Sequence, residues 1–241
     1  MSLSLLRGLF RNEFLDPVAA TKFALLPRVC VGDDGTHEPK VIPLPDACGG
    51  GPPQLILGGG SNLLLTRDLD GVTLQVATRG RRILADGNDQ VLVRAAAGEN
   101  WDGFVRWTLS QGLGGLENLA LIPGTVGASP IQNIGAYGVE VRQRFVSLNA
   151  LNLSTGERRS FDHQACRFGY RDSIFKRADH RGWLVLDVDF QLSRRPELSI
   201  GYADLRNELA AQGLSDPTPD DIARSVTDIR RRKLPDPAQI G

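Results

Sequence analysis

The run LENLALIPGTVGASPIQNIGAYG, Leu116 to Gly138, constrains the fold more than any other part of the chain. It holds four glycines, two prolines and a single formal charge, at Glu117. Neither helical nor strand periodicity extends over more than a few of its residues. A surface loop would be more polar, and a core element would carry less glycine. Such a run is either a buried crossover or a segment that wraps a ligand with its backbone. The small and amide residues Thr125, Ala128, Ser129, Gln132 and Asn133 between Gly124, Gly127, Gly135 and Gly138 suit an uncharged reading of a heteroaromatic ring and its phosphates.

Composition limits what that ligand can be. Lys plus Arg equals Asp plus Glu at 28 each, so nothing points to nucleic acid, whose binders carry a basic excess. No apolar run reaches the ~18 residues of a membrane span. The start, MSLSLLRGLFRNEF, is too short and wrongly flanked for a secretory signal. Cys30, Cys48 and Cys166 are odd in number and far apart, which argues against a zinc site or a disulfide framework and for a reducing cytoplasm. No metal ligand set is expected. The length of 241 residues suits one large domain or two modest ones.

The spacing predicts strands dominating the middle of the chain and helices flanking them, an α+β class. Residues 1–28 have no clear pattern. Residues 31–53, rich in Gly and Pro, read as a long irregular loop. QLILGGGSNLLLTRD reads as a strand, a glycine turn and a second strand. VTLQVAT and QVLVRAAAG read as strands. WDGFVRWTLSQGL predicts a helix with Trp101, Phe104, Val105, Thr108 and Leu109 on one face and Gly112 past its end. RFVSLNALNLSTGERRSF predicts a hairpin turning at Ser154-Thr155-Gly156, and WLVLDVDFQLS another strand. Arg194-Arg195-Pro196 reads as a linker. TPDDIARSVTDIRRRK predicts a helix capped by Thr218, with Pro219 in its first turn and a solvated Arg230–Lys233 cluster at its end.

Two further segments carry candidate chemistry. Gly58, Gly59, Gly60, Ser61 and Asn62 form a GGGSN turn whose glycines let backbone N–H groups approach a phosphate. It is not a P-loop, because no Gly-Lys-Ser/Thr follows. It is not the dinucleotide fingerprint, because Leu63 stands where the third glycine belongs. A tight hairpin fits it equally. CRFGYRDSIFK, Cys166 to Lys176, sets Arg167, Arg171, Asp172 and Lys176 among aromatics. A partly buried Arg171 beside Tyr170 suits a carboxylate; a structural Arg171–Asp172 pair suits the spacing as well. His37, His163 and His180 have no partner at ligand spacing and read as surface residues.

LILGGGSNLLL, AAGENW, GLENLALIPGTVGASPIQNIGAYGVE, CRFGYRDSIFK and KLPDP together resemble the UDP-N-acetylenolpyruvylglucosamine reductases, also called UDP-N-acetylmuramate dehydrogenases, of the longer subtype. The resemblance covers about residues 54–241. It implies a two-lobed FAD-binding fold of the vanillyl-alcohol-oxidase/PCMH type, followed by a partial α+β substrate-binding domain. The implied divisions are 1–75 for the first FAD lobe, 76–195 for the second, and 196–241 for the start of the substrate domain. FAD is implied at Gly58, Gly59, Gly60, Ser61, Asn62 and Leu63, and at Ile122, Pro123, Gly124, Gly127, Ala128, Ser129, Gln132, Asn133 and Gly135. No flavin-linking His or Cys lies near GGGSN, so the FAD is expected to be non-covalent.

The family reaction implies NADPH as co-substrate and reduction of UDP-N-acetylglucosamine enolpyruvate to UDP-N-acetylmuramate, for peptidoglycan synthesis in the cytoplasm. Arg171 falls on the catalytic Arg that stabilises charge on the substrate carboxylate. Tyr170, Tyr202 and Lys233 fall on substrate-binding positions. The implied partner is a small nucleotide sugar, with no nucleic acid and no membrane, on a monomer. Two departures qualify the match. The family's proton-donating Ser and its catalytic Glu follow KLPDP, and Gly241 precedes both. Residues 31–53, with Pro39, Pro43, Pro45, Pro52 and Pro53, cannot form the helix the family has before GGGSN. The alternatives are a non-catalytic flavin-binding fragment and another flavin oxidase on the same fold.

Overall fold

The computed structural model describes residues 55–64, 66 and 73–234. The readings made for residues 1–28 and 31–53, for Cys30, Cys48 and His37, and for the end of KLPDP lie outside the described residues.

The glycine turn opens the described fold. Strand β1 (Leu55–Leu57) runs into Gly58–Asn62, and pairs in parallel with β2 (Thr73–Gln75). The hairpin reading of GGGSN is therefore wrong. Leu63 and Leu64 are exposed and belong to no strand, so the chain leaves the turn without folding back on β1. Parallel pairing demands a longer crossover than a two-residue turn supplies.

Five antiparallel strands form the main sheet, in the order β3 (Arg81–Asp86), β4 (Gln90–Ala96), β9 (Trp183–Ser193), β7 (Phe145–Asn152), β8 (Arg158–Asp162). The predicted hairpin is β7–β8, with Gly156 at φ 75° in its turn. Between β4 and β7 in sequence lies the two-residue ladder β5 (Gly135–Ala136) and β6 (Val139–Glu140). Strand β3 has no clear signal in the sequence: RRILAD is mostly exposed and lacks clean alternation.

Helix α1 (Trp101–Ser110) covers one sheet face. Asn100 caps it, accepting from the Gly103 N–H at 2.8 Å. Gly112, at φ 69°, lies just past its end. Trp101 and Phe104 are fully buried and meet the Phe190 ring of β9 at 6.0 and 5.3 Å between centroids. Val91, Val93, Val188 and Leu192 complete this layer. Elsewhere on the sheet Arg94 grips Asp189 through two bonds of 2.7 and 2.8 Å. Ser147 donates to Asp189, and Asn149 to Asp187. Burial pushes the Asp187 carboxyl up, and Arg94 opposes that shift. Such carboxylates are tolerated because each is hydrogen-bonded.

The four-residue turn α2 (His163–Cys166) follows β8 and buries Cys166. Burial and the nearby Asp162 push its thiol up to about 12, which leaves roughly one thiolate in 10⁴ at pH 8. Alkylation at pH 8 is therefore expected to spare Cys166 in the native protein and to modify it after unfolding, as read by peptide mapping. Native labelling at the rate of a free peptide thiol would contradict this. His163 is exposed, but His180 is half-buried against the Phe175 ring and is not a plain surface residue.

Helices α3 (Ala203–Ala211) and α4 (Pro219–Lys233) follow the Arg194–Pro196 link. Thr218 and Asp221 form the capping box of α4. Leu205, Leu209, Ile222, Val226 and Ile229 join the core of the main sheet. The Arg230–Lys233 cluster is more than a solvated end. Arg232 pairs with Glu208, Lys233 with Asp204 at 2.5 Å, and Arg230 donates to the Leu121 carbonyl at 3.1 Å. No helix of the described residues is long and apolar enough to cross a membrane.

Candidate functional site

The two glycine segments meet. A Cβ at Gly58 would lie 2.9 Å from Thr125 Oγ1, and one at Gly59 would lie 3.2 Å from Gly124 Cα. Asn62 donates to Gln132 Oε1 at 3.2 Å. Gly59, Gly60, Ser61 and Asn62 remain exposed, and Gly58, Gly124 and Gln132 half-exposed. A turn of small residues thus lies open against a second glycine backbone, as close approach to a ligand requires.

AAGENW builds the platform beneath. The Gly127 N–H donates to the Ala97 carbonyl at 2.8 Å and the Val126 N–H to the Glu99 carbonyl at 2.9 Å. The Trp101 N–H donates to the Gly124 carbonyl at 3.1 Å. A Cβ on Gly127 would come within 2.5 Å of Ala97 Cβ, so glycine there serves packing. Ser129 and Ile122 are buried. Ser129 donates to the Val126 carbonyl at 2.7 Å, and its hydroxyl is committed within the protein.

The segment is held in an unusual backbone. Leu121, Asn133 and Tyr137 join Gly124 and Gly138 at positive φ. Non-glycine residues adopt that region at a cost of about 1–3 kcal/mol, and only where their surroundings enforce it. At Asn133 the enforcement is visible: its amide donates to the Gly169 carbonyl at 2.8 Å and accepts from the Arg142 N–H at 3.1 Å. That side chain faces protein partners on both sides.

CRFGYRDSIFK is clamped to the same segment. Besides the Asn133–Gly169 bond, Ser173 donates to the Ile131 carbonyl at 2.7 Å and Arg171 Nη2 to the Gly135 carbonyl at 2.6 Å. Arg171 itself has φ 52°, and Lys176 donates to its carbonyl. The expectation of a partly buried Arg171 is corrected, because the residue is exposed. So is the pairing alternative: among the described residues no ion pair joins Arg171 to Asp172. A cation fixed at one nitrogen and open to solvent suits an incoming carboxylate. Tyr170 beside it is 85% exposed.

Tyr202 and Lys233 reach this region through Tyr137. The Tyr137 and Tyr202 rings meet edge to face at 5.3 Å. Burial pushes the Tyr137 hydroxyl up, and the Arg230 and Lys233 charges oppose this. Lys233 is held by Asp204. Sequence reasoning missed Tyr137, Ser173, Asp102 and the anchoring role of Arg230. Their contacts join residues far apart in the chain, and no local pattern marks them.

Comparison with known proteins fits this geometry. Residues 47–162 match the family described as "FAD binding domain". Over 191 residues, 79% of this chain, the sequence is 56% identical to the UDP-N-acetylenolpyruvoylglucosamine reductase of Pseudomonas aeruginosa, covering 56% of that protein. The chain is a homologue of the UDP-N-acetylenolpyruvoylglucosamine reductases. The reductase of Azoarcus sp. (strain BH72) is 58% identical over 79% of this chain and 56% of its own length. That of Chromobacterium violaceum is 52% identical over 88% and 62%. The chain thus spans little more than half the length of these curated reductases. A crystal structure of the Thermus caldophilus reductase superposes with TM-score 0.51 at 23% identity, over 75% of this chain and 56% of that one. The fold is the two-lobed FAD-binding type.

Proposed function

We propose that the chain binds FAD without a covalent bond and serves the reduction of UDP-N-acetylglucosamine enolpyruvate to UDP-N-acetylmuramate with NADPH. The observation that carries this reading is the contact of Gly58–Asn62 with Gly124–Gln132, an open cradle in which a Cβ at Gly58 would lie 2.9 Å from Thr125 Oγ1. Gly58–Leu63 would hold the pyrophosphate through backbone N–H groups. Ile122–Gly135 would hold the rest of the cofactor. On this reading the described residues up to 75 would belong to the first lobe, 76–195 to the second, and those from 196 to the start of the substrate domain. The homology of the sequence to named reductases supports the substrate class.

When bound, the flavin supplies the hydride chemistry, and the protein supplies position and charge. Arg171, anchored at Gly135, would stabilise negative charge on the substrate carboxylate as it develops. Tyr170 and Tyr202 would line the nucleotide sugar, and Lys233 would meet its diphosphate after exchanging the Asp204 carboxylate for it. The setting is cytoplasmic peptidoglycan synthesis, with the protein acting as a monomer.

Anaerobic mixing tests the reading. NADPH is expected to bleach the flavin of the FAD-loaded chain, and the enolpyruvyl nucleotide sugar to restore its colour. Reduced flavin that the nucleotide sugar leaves unoxidised would contradict the second expectation. Rapid oxygen consumption with NADPH and no nucleotide sugar would favour an oxidase instead.

A further inference from the structure

One residue joins three parts of the fold. Leu121 has φ 56°. Its N–H donates to Asp102 Oδ1 on α1 at 2.7 Å, and its carbonyl accepts from Arg230 Nε on α4 at 3.1 Å. The other Asp102 oxygen is fixed by Arg106 Nε at 2.8 Å, one helical turn on. Leu121 is therefore gripped through the peptide groups on both of its sides, at a backbone angle that leucine does not favour.

The two residues after Leu121 transmit that grip. Ile122 is buried in the main core and precedes a proline, which bars it from the helical region. Pro123 has a fixed φ. The next residue is Gly124, whose Cα faces Gly59 across the cradle. Only two stiff residues separate the gripped Leu121 from the cradle wall, so a backbone rearrangement at Leu121 is carried toward Gly124.

We propose that Asp102 and Arg230 are positioning residues that set Gly124 for FAD by clamping Leu121 between α1 and α4. This rests on the flavin reading above. It links the helix carrying Lys233 to the cofactor cradle, so the substrate-side helix and the cofactor loop are held in one register. Neither residue needs to touch FAD for this.

The experiment measures FAD affinity and amide hydrogen exchange on the full chain. Asp102→Ala and Arg230→Ala are each expected to weaken FAD binding about tenfold, the effect of one lost charge-assisted bond. Asp102→Asn keeps the accepting oxygen and should bind within about twofold of the parent. The double alanine variant should bind no more weakly than the weaker single variant, because both hold one residue, Leu121. Exchange of the Gly124–Gly127 amides should quicken in both alanine variants while the β9 amides stay protected, which a general loss of stability would not produce. Parent and alanine variants binding FAD alike would overturn the clamp and leave the flavin reading intact. So would a double variant weakened about a hundredfold, the product of two independent effects. A parent chain that takes up no FAD would overturn the flavin reading, and the clamp's role with it.

Discussion

Gly59→Val is expected to weaken FAD binding about a hundredfold and to leave the cofactor-free protein nearly as stable as the parent. A Cβ at this position already stands 3.2 Å from Gly124 Cα, which is backbone and cannot swing aside. Valine adds two methyl groups to that contact. Forcing extra carbon into a closed contact costs about 1–3 kcal/mol, and 3 kcal/mol corresponds to about a hundredfold in affinity. The effect should fall on binding because Gly59 is exposed and lies outside the main core. Gly58→Ala should act the same way through Thr125, less strongly, since a threonine hydroxyl can rotate. Isothermal titration with FAD beside chemical unfolding of the apo-chain checks both halves. Equal affinities for parent and Gly59→Val would mean that the two glycine segments do not share a ligand.

Trp101→Ala is expected to cost about 3–5 kcal/mol of stability, the range for deleting a large buried aromatic. Trp101 is fully buried, meets Phe104 and Phe190 edge to face, and donates from its indole nitrogen to the Leu119 carbonyl at 2.9 Å. Removal leaves a cavity and an unpaired carbonyl in the turn Glu117–Leu119. It also loosens the approach to Gly124, whose carbonyl accepts from the Trp101 backbone N–H. Stability and FAD affinity should therefore fall together, unlike the split expected for Gly59→Val. Denaturant midpoints for the two apo-variants separate the cases. A Trp101→Ala chain within about 1 kcal/mol of the parent would show that the α1 layer is not the centre of the core.

The elements legible in the sequence are those with local signals. The one-sided apolar face from Trp101 announces α1, and Thr218 announces α4 by capping chemistry. The Ser154-Thr155-Gly156 turn announces β7–β8, and the apolar run from Trp183 reads as a strand, which the sheet places at its centre. What escaped depends on distance along the chain. The parallel pairing of β1 with β2 overturned a hairpin that GGGSN suited equally well. Strand β3 is exposed and basic, and only its ladder with β4 makes it a strand. The positive φ angles at Leu121, Asn133 and Tyr137 fall on residues other than glycine. They exist because Asp102, Gly169, Arg142 and Asn118 accept or donate bonds there. The site was legible as three separate motifs. The bonds Asn133–Gly169, Arg171–Gly135 and Ser173–Ile131 that join two of them were not.

The visible absorbance of the purified chain, taken after incubation with FAD and removal of the excess by gel filtration, tests the central claim most directly. A flavin band that travels with the protein, at about one flavin per chain, is the predicted result. A protein peak that is folded by circular dichroism yet carries no flavin would contradict it.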